Sequence, residues 1–74
     1  MKAVAIVSGV ISCPDESGQR RIIPQGTRIR IESRANGYRV CWQDRGGRRR
    51  AMRWTDGDLD LYRGRALTSY LEAS

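Results

Sequence analysis

The sequence predicts a mainly β fold: a small antiparallel sheet or closed barrel of four to five strands, with a short C-terminal α-helix at about residues 65–72. Three observations predict it. Arg and Ile alternate through "TRIRIES", the period-two pattern of a half-buried strand. Asn36-Gly37 sits between two alternating segments, the strongest short-range hairpin signal. Leu67, Tyr70 and Leu71 fall at i, i+3 and i+4, an apolar stripe with helical spacing. With 74 residues the chain is read as one domain, 1–74. A domain of that size buries only about 60% of its unfolded surface, which leaves little stability to spend on a deep active site.

The elements follow in order. "AVAIVSGVIS" is rich in β-branched residues and interrupted at Ser8-Gly9, which predicts one bent or bulged strand. "CPDESGQ" carries the Pro, Asp, Ser and Gly of a turn-rich loop. "QRRII" reads as a short edge strand stopped by Pro24, and "PQG" turns the chain into "TRIRIES". A two-residue type I′ turn at Asn36-Gly37 would pair Ala35 with Tyr38, Ser33 with Val40 and Ile31 with Trp42.

A three-residue loop, Arg45-Gly46-Gly47, then pairs Asp44 with Arg48, Trp42 with Arg50, Val40 with Met52 and Tyr38 with Trp54. Slipping this register by one residue would put Arg49 and Arg53 opposite Trp42 and Tyr38, two charges on the face meant for burial. In the favoured register only Arg50 is out of place, its stem laid along Trp42 and its guanidinium in water. "TDGDLDLYRG" reads as an acidic turn anchored by Leu59 and Leu61, ahead of the helix that packs on the apolar face of the sheet.

The two registers give the sheet unlike faces. Ile29, Ile31, Tyr38, Val40, Trp42, Met52 and Trp54 share one; Arg28, Arg30, Glu32, Arg34, Arg39, Cys41, Gln43, Arg49, Ala51 and Arg53 share the other. The pairing also sets Arg34, Arg39 and Arg53 in one cross-strand row without an acid, which costs stability unless an anion is sometimes present.

Charge is lopsided in the same place. The formal net charge is +6, and between Arg20 and Arg53 eleven arginines stand against only Glu32 and Asp44. The planar Arg fork suits bidentate contacts to phosphate, carboxylate or guanine. A nucleic acid or an acidic protein surface is the partner this implies.

Other classes lack their chemistry. There is no His, and Cys13 and Cys41 are too far apart for a CxxC zinc site, so neither a metal nor another cofactor is expected. Both cysteines are read as idle thiols; a disulfide between them would suit an exported chain. Cys41 has no base to activate it, and Asp56, Asp58 and Asp60 read as acids solvating a turn, so no catalytic residue and no small-molecule substrate is expected. No run approaches the roughly 20 apolar residues of a membrane span, and "MKAVAIVSGVIS" only faintly mimics a signal peptide; a cytoplasmic chain without a membrane partner is the expectation.

"IESRANGYRVCWQDRGGRRRAMRW" followed by "RALTSYLEA" resembles the arm-type DNA-binding domains of phage and transposon tyrosine recombinases. The matching residues are Arg34, Asn36, Gly37, Tyr38, Asp44, Gly47, Arg48 and Arg49, with Ala66 and Leu71 in the helix, and the likeness spans roughly Arg28 to Ala73. It implies a three-stranded sheet entering the major groove with a helix behind it. The residues ahead of Arg28, the long connection from Trp54 to Arg65 and the lack of a following catalytic domain depart from that pattern.

Strands near Ala3–Ser12, Thr27–Ser33, Gly37–Gln43 and Arg48–Trp54, with a long loop Ser12–Gly26 and a last turn at "DGDLDLY", also resemble an SH3-like or Tudor-like small barrel. That likeness implies a protein-interaction module, of which a phage-borne inhibitor of a host protein or nucleoprotein complex is one kind. The favoured expectation is a non-enzymatic nucleic-acid-binding accessory protein of a phage or mobile element. Arg28, Arg30, Arg39, Arg49 and Arg53 would dock on phosphates, with Arg34, Arg45 and Arg48 extending the footprint.

Overall fold

Seven strands and one helix make up residues 1–73, the part of the chain described by the computed structural model. In chain order they are β1 (Lys2–Val7), β2 (Ile11–Pro14), β3 (Arg20–Ile23), β4 (Arg28–Arg34), β5 (Gly37–Gln43), β6 (Arg49–Trp54), α1 (Asp56–Arg65) and β7 (Leu67–Ala73). The mainly β class with a short helix in the C-terminal third is as the sequence predicts. Five strands form one antiparallel sheet in the order β6-β5-β4-β1-β7, and β2-β3 form a separate hairpin. The tip of that hairpin reaches across to β6: Asp15 bridges to Met52, and the Glu16 N–H donates to the Ala51 carbonyl at 3.2 Å. The neck is closed by Val7 N–H on the Thr27 carbonyl and Gly26 N–H on the Val7 carbonyl.

Alternation places the core. Ala3, Ala5 and Val7 of β1, Ile29 and Ile31 of β4, Val40 and Trp42 of β5, and Met52 and Trp54 of β6 all point inward, where Ile11, Ile23, Leu59 and Leu67 meet them. No polar or charged residue is buried among the described residues, as expected where burial must supply most of the stability. Trp54 stacks at a tilt on Tyr62, ring centroids 4.8 Å apart, and the Tyr62 hydroxyl lies 3.0 Å from Cys13 Sγ. Burial first, then this contact, pushes the Tyr62 phenol up to about 12. Cys13 and Cys41 are both free.

The second hairpin forms in the favoured register: Val40 lies opposite Met52, Tyr38 opposite Trp54 and Trp42 opposite Arg50. Gly47 takes the left-handed conformation with φ +79°, and Asp44 N–H donates to the Arg48 carbonyl at 2.9 Å. Arg50 carries its guanidinium onto Asp44, Nε to Oδ2 3.0 Å, rather than into bulk water.

Other expectations need correction. The run Ala3–Ser12 is two strands in two sheets, not one bent strand; the chain leaves β1 where Ser8 N–H bonds the Ala66 carbonyl and Gly9 passes against Ala66. The first hairpin turns at Ala35-Asn36, not at a type I′ Asn36-Gly37, so Ser33 faces Tyr38 and Ile31 faces Val40. Gly37 is needed there for a different reason, since a Cβ on it would strike the carbonyl oxygen of Trp54. The shift is an even number of residues, so inward and outward faces survive it.

The helix also lies earlier than 65–72. Thr55 and Asp58 form a reciprocal capping box that starts α1 at Asp56, inside the stretch read as a turn, and Leu59 is buried while Leu61 stays exposed. Residues 67–73 are strand, paired with β1 from Val7↔Leu67 to Lys2↔Ala73.

Candidate nucleic-acid interface

The outer face of β4, β5 and β6 is built by the same alternation that fills the core. Every second residue points out, and those residues are Arg28, Arg30, Glu32 and Arg34 on β4, Arg39, Cys41 and Gln43 on β5, and Arg49, Ala51 and Arg53 on β6. Arg45 and Arg48 stand exposed in the turn between β5 and β6. All eight expected arginines therefore reach the surface, six on one face and two at its end. Cross-strand rows run Val4–Arg30–Cys41–Ala51 and Lys2–Glu32–Arg39–Arg53.

The second row corrects the expected one. The register of the first hairpin puts Glu32, not Arg34, opposite Arg39, so the row does contain an acid. Glu32 holds Arg34 at 3.0 Å and Arg30 at 3.4 Å, and the Arg34 guanidinium, foremost, keeps its carboxyl below the usual range. Arg39 is also paired: its Nε donates to Glu16 Oε1 at 2.6 Å, which raises its already high pKa, and its Nη1 donates to Cys41 Sγ at 3.2 Å. Among the described residues, Arg28, Arg45, Arg48, Arg49 and Arg53 have no carboxylate within 4.0 Å.

Two depressions follow the face. A broad open groove of about 1020 Å³ runs between the β2-β3 hairpin and the sheet and is lined by Arg28, Arg30, Arg39, Arg45 and Arg49, together with Asp15, Glu16, Arg21, Asp44 and Arg50. A smaller hollow of about 310 Å³ is lined by Glu16, Arg34, Ala35, Asn36, Arg39 and Arg53. Arg48 lines neither; its N–H donates to Asp44 Oδ1 at 2.9 Å and fixes the turn. That backbone bond, foremost, lowers the Asp44 pKa, with Arg50 adding to it.

Glu16, Asp15 and Arg21 belong to the site and escape sequence reasoning. They sit in and beside a local turn, and the only cue is a pair of acids in "CPDESGQ". What carries them to the basic face is a long-range backbone contact with β6. Conversely, Trp42 and Trp54 are buried, and the outward positions of β4, β5 and β6 carry no aromatic residue.

The chemistry on offer is therefore electrostatic and hydrogen-bonding: guanidinium donors on a small-residue floor of Cys41 and Ala51. Comparison with protein-family models, curated proteins and solved structures returns no match. No helix among the described residues is long and apolar enough to cross a membrane.

Proposed function

We propose that the protein is a non-enzymatic nucleic-acid-binding accessory protein that docks the arginine face of β4-β5-β6 on phosphates. The observation that carries this reading is the group of exposed arginines, Arg28, Arg45, Arg48, Arg49 and Arg53, that no carboxylate of the described residues neutralises. A fixed cluster of like charges lowers the stability of a small domain, a cost offset when the cluster neutralises the phosphates of a polyanion and the condensed counterions are released into solution.

The absence of aromatic side chains from the outward positions of these strands supports a duplex over a single strand, because single-strand binders stack bases on aromatic rings. DNA is favoured over RNA on the likeness of the β4-β5-β6 region to arm-type recombinase domains, and a role in a phage or mobile element rests on that likeness too. The direct test is Arg49→Ala combined with Arg53→Ala. Duplex affinity should fall at low salt and the salt slope should shrink by roughly two, one for each phosphate no longer neutralised, with the circular-dichroism spectrum unchanged. Unchanged affinity would exclude the sheet face as the binding surface.

One observation favours a second reading. The hairpin tip bridges to β6, so the sheet is drawn toward closure, and with the strand order β6-β5-β4-β1-β7 this supports an SH3-like barrel. Val10 and Ile22 are 80% and 68% exposed beside and on that hairpin. A protein-interaction module, including an inhibitor of a host protein or nucleoprotein complex, would use them. Val10→Ser with Ile22→Ser would then abolish partner capture while leaving any nucleic-acid binding intact.

A further inference from the structure

We propose that the hollow bounded by Glu16, Arg34, Arg39 and Arg53 is a phosphate subsite, and that the Glu16 carboxylate occupies it as an internal counter-anion that the phosphodiester displaces. This rests on the nucleic-acid reading of the basic face and specifies where on that face a phosphate is bound and what competes for the place.

The backbone of the hairpin tip is held without any help from the Glu16 side chain. Asp15 Oδ1 accepts from Ser17 N–H at 2.9 Å, from the Ser17 hydroxyl at 2.6 Å and from Gln19 N–H at 3.0 Å, while Asp15 Oδ2 takes Arg21 Nε at 2.8 Å. The Asp15–Met52 bridge and the bond from Glu16 N–H to the Ala51 carbonyl then seat the tip on β6. From that fixed point the Glu16 carboxylate reaches Arg39 Nε at 2.6 Å. Both partners remain over 40% exposed, so the pair is in contact with solvent and exchangeable.

The surroundings are those of an anion. Arg34, Arg39 and Arg53 converge on a hollow of about 310 Å³ in which Glu16 is the only acid among the described residues. Arg34 is already engaged by Glu32 and by the Ser33 carbonyl, and Arg53 has no carboxylate within 4.0 Å among the described residues. The guanidinium fork that donates to a carboxylate donates to a phosphate in the same geometry. A phosphate seated where Glu16 now lies would meet Arg39 at its Nε edge and bring Arg53 a counter-charge. Glu32 differs, since its side chain is far more enclosed, 16% exposed against 46% for Glu16, and is held by two arginines. It is a fixed part of the face, and Glu16 the removable one.

Glu16→Gln keeps the shape and removes the charge. Duplex DNA affinity, read by fluorescence anisotropy, should rise several-fold at low salt, while the slope of log affinity against log salt stays as in the wild type, because the same phosphate is neutralised in both proteins. Asp60→Asn removes an equal charge from the exposed helix and should leave both unchanged. In parallel, inorganic phosphate is titrated against chloride at matched ionic strength while the Arg39 Nε–Hε resonance is followed. Glu16→Gln should respond saturably at several-fold lower phosphate than the wild type, and adding Arg53→Ala should weaken that response. Glu16→Gln binding no better than wild type in both arms, or Asp60→Asn tightening DNA binding equally, would overturn the subsite. A phosphate response at Arg39 without any duplex binding would keep the subsite and overturn the nucleic-acid reading.

Discussion

Asp15 shows what one side chain does for its own hairpin, since Ser17, Gln19 and Arg21, the partners of its carboxylate, all belong to the same β2-β3 hairpin. Its carboxylate takes the Arg21 guanidinium, the Ser17 hydroxyl and the backbone N–H groups of Ser17 and Gln19, and the Arg21 bond, foremost, holds its pKa far below the usual carboxylate range. Because folding lowers this pKa, the unfolded chain binds the proton more tightly, and stability rises with pH between the folded and the ordinary value. The contribution is complete above the ordinary carboxylate pKa and is lost as pH falls toward the depressed one.

Asp15→Asn should therefore lower the urea midpoint at pH 7, with the gap to wild type closing below about pH 4; an equal gap at pH 3 and pH 7 would contradict the assignment. The turn around Asp15 is legible from Pro, Asp, Ser and Gly. Its ion pair with Arg21 needs the register of the β2-β3 hairpin, and the reach of Glu16 to Arg39 is not legible at all, because nothing in a period or a turn signal says which distant strand a hairpin tip will meet.

At the scale of the elements, alternation is the reliable guide, while glycines and bulges mislead. The outward arginines of β4, β5 and β6 and the inward Ile, Val, Met and Trp follow from period two alone. The misread helix has a specific cause. Ser69 adopts φ +54°, and the pairing of β1 with β7 slips between Val4 and Ile6, so one extra residue of β7 sits opposite Ala5. The bulge moves the inward position from Leu67 to Tyr70, three residues on, and a strand acquires the spacing of a helix.

The Asn36-Gly37 signal fails likewise, because Gly37 serves close packing against Trp54 rather than a type I′ turn. Gly37→Ala, with φ +135° and a carbonyl in the way, should cost about 2 kcal/mol in chemical denaturation. Gly46→Ala in the neighbouring turn, where the added Cβ meets only Asp44 Oδ1 at 3.4 Å, should stay within about 0.5 kcal/mol. Equal losses would mean that Gly37 does not set the first hairpin.

For the molecule as a whole, the sheet sorts its charges by face and by end. Arginines cover the outside of β4-β5-β6, while Asp56, Asp58 and Asp60 gather in the helix that follows. The lopsided distribution is visible in the sequence, and its confinement to one face follows from strand alternation. The extent of internal neutralisation is not visible there, because it depends on the register of the first hairpin and on the docked tip of the second sheet. With Arg30, Arg34 and Arg39 held by Glu32 and Glu16, five of the eight arginines, among the described residues, meet a polyanion without first giving up an internal carboxylate.

Those five free guanidinium groups give the central claim its most direct test, duplex DNA affinity measured by fluorescence anisotropy across a salt series. Neutralising five phosphates predicts that log affinity falls with log salt at a slope of roughly −4 to −5. Absence of binding at low salt, or a slope near zero, would contradict the claim.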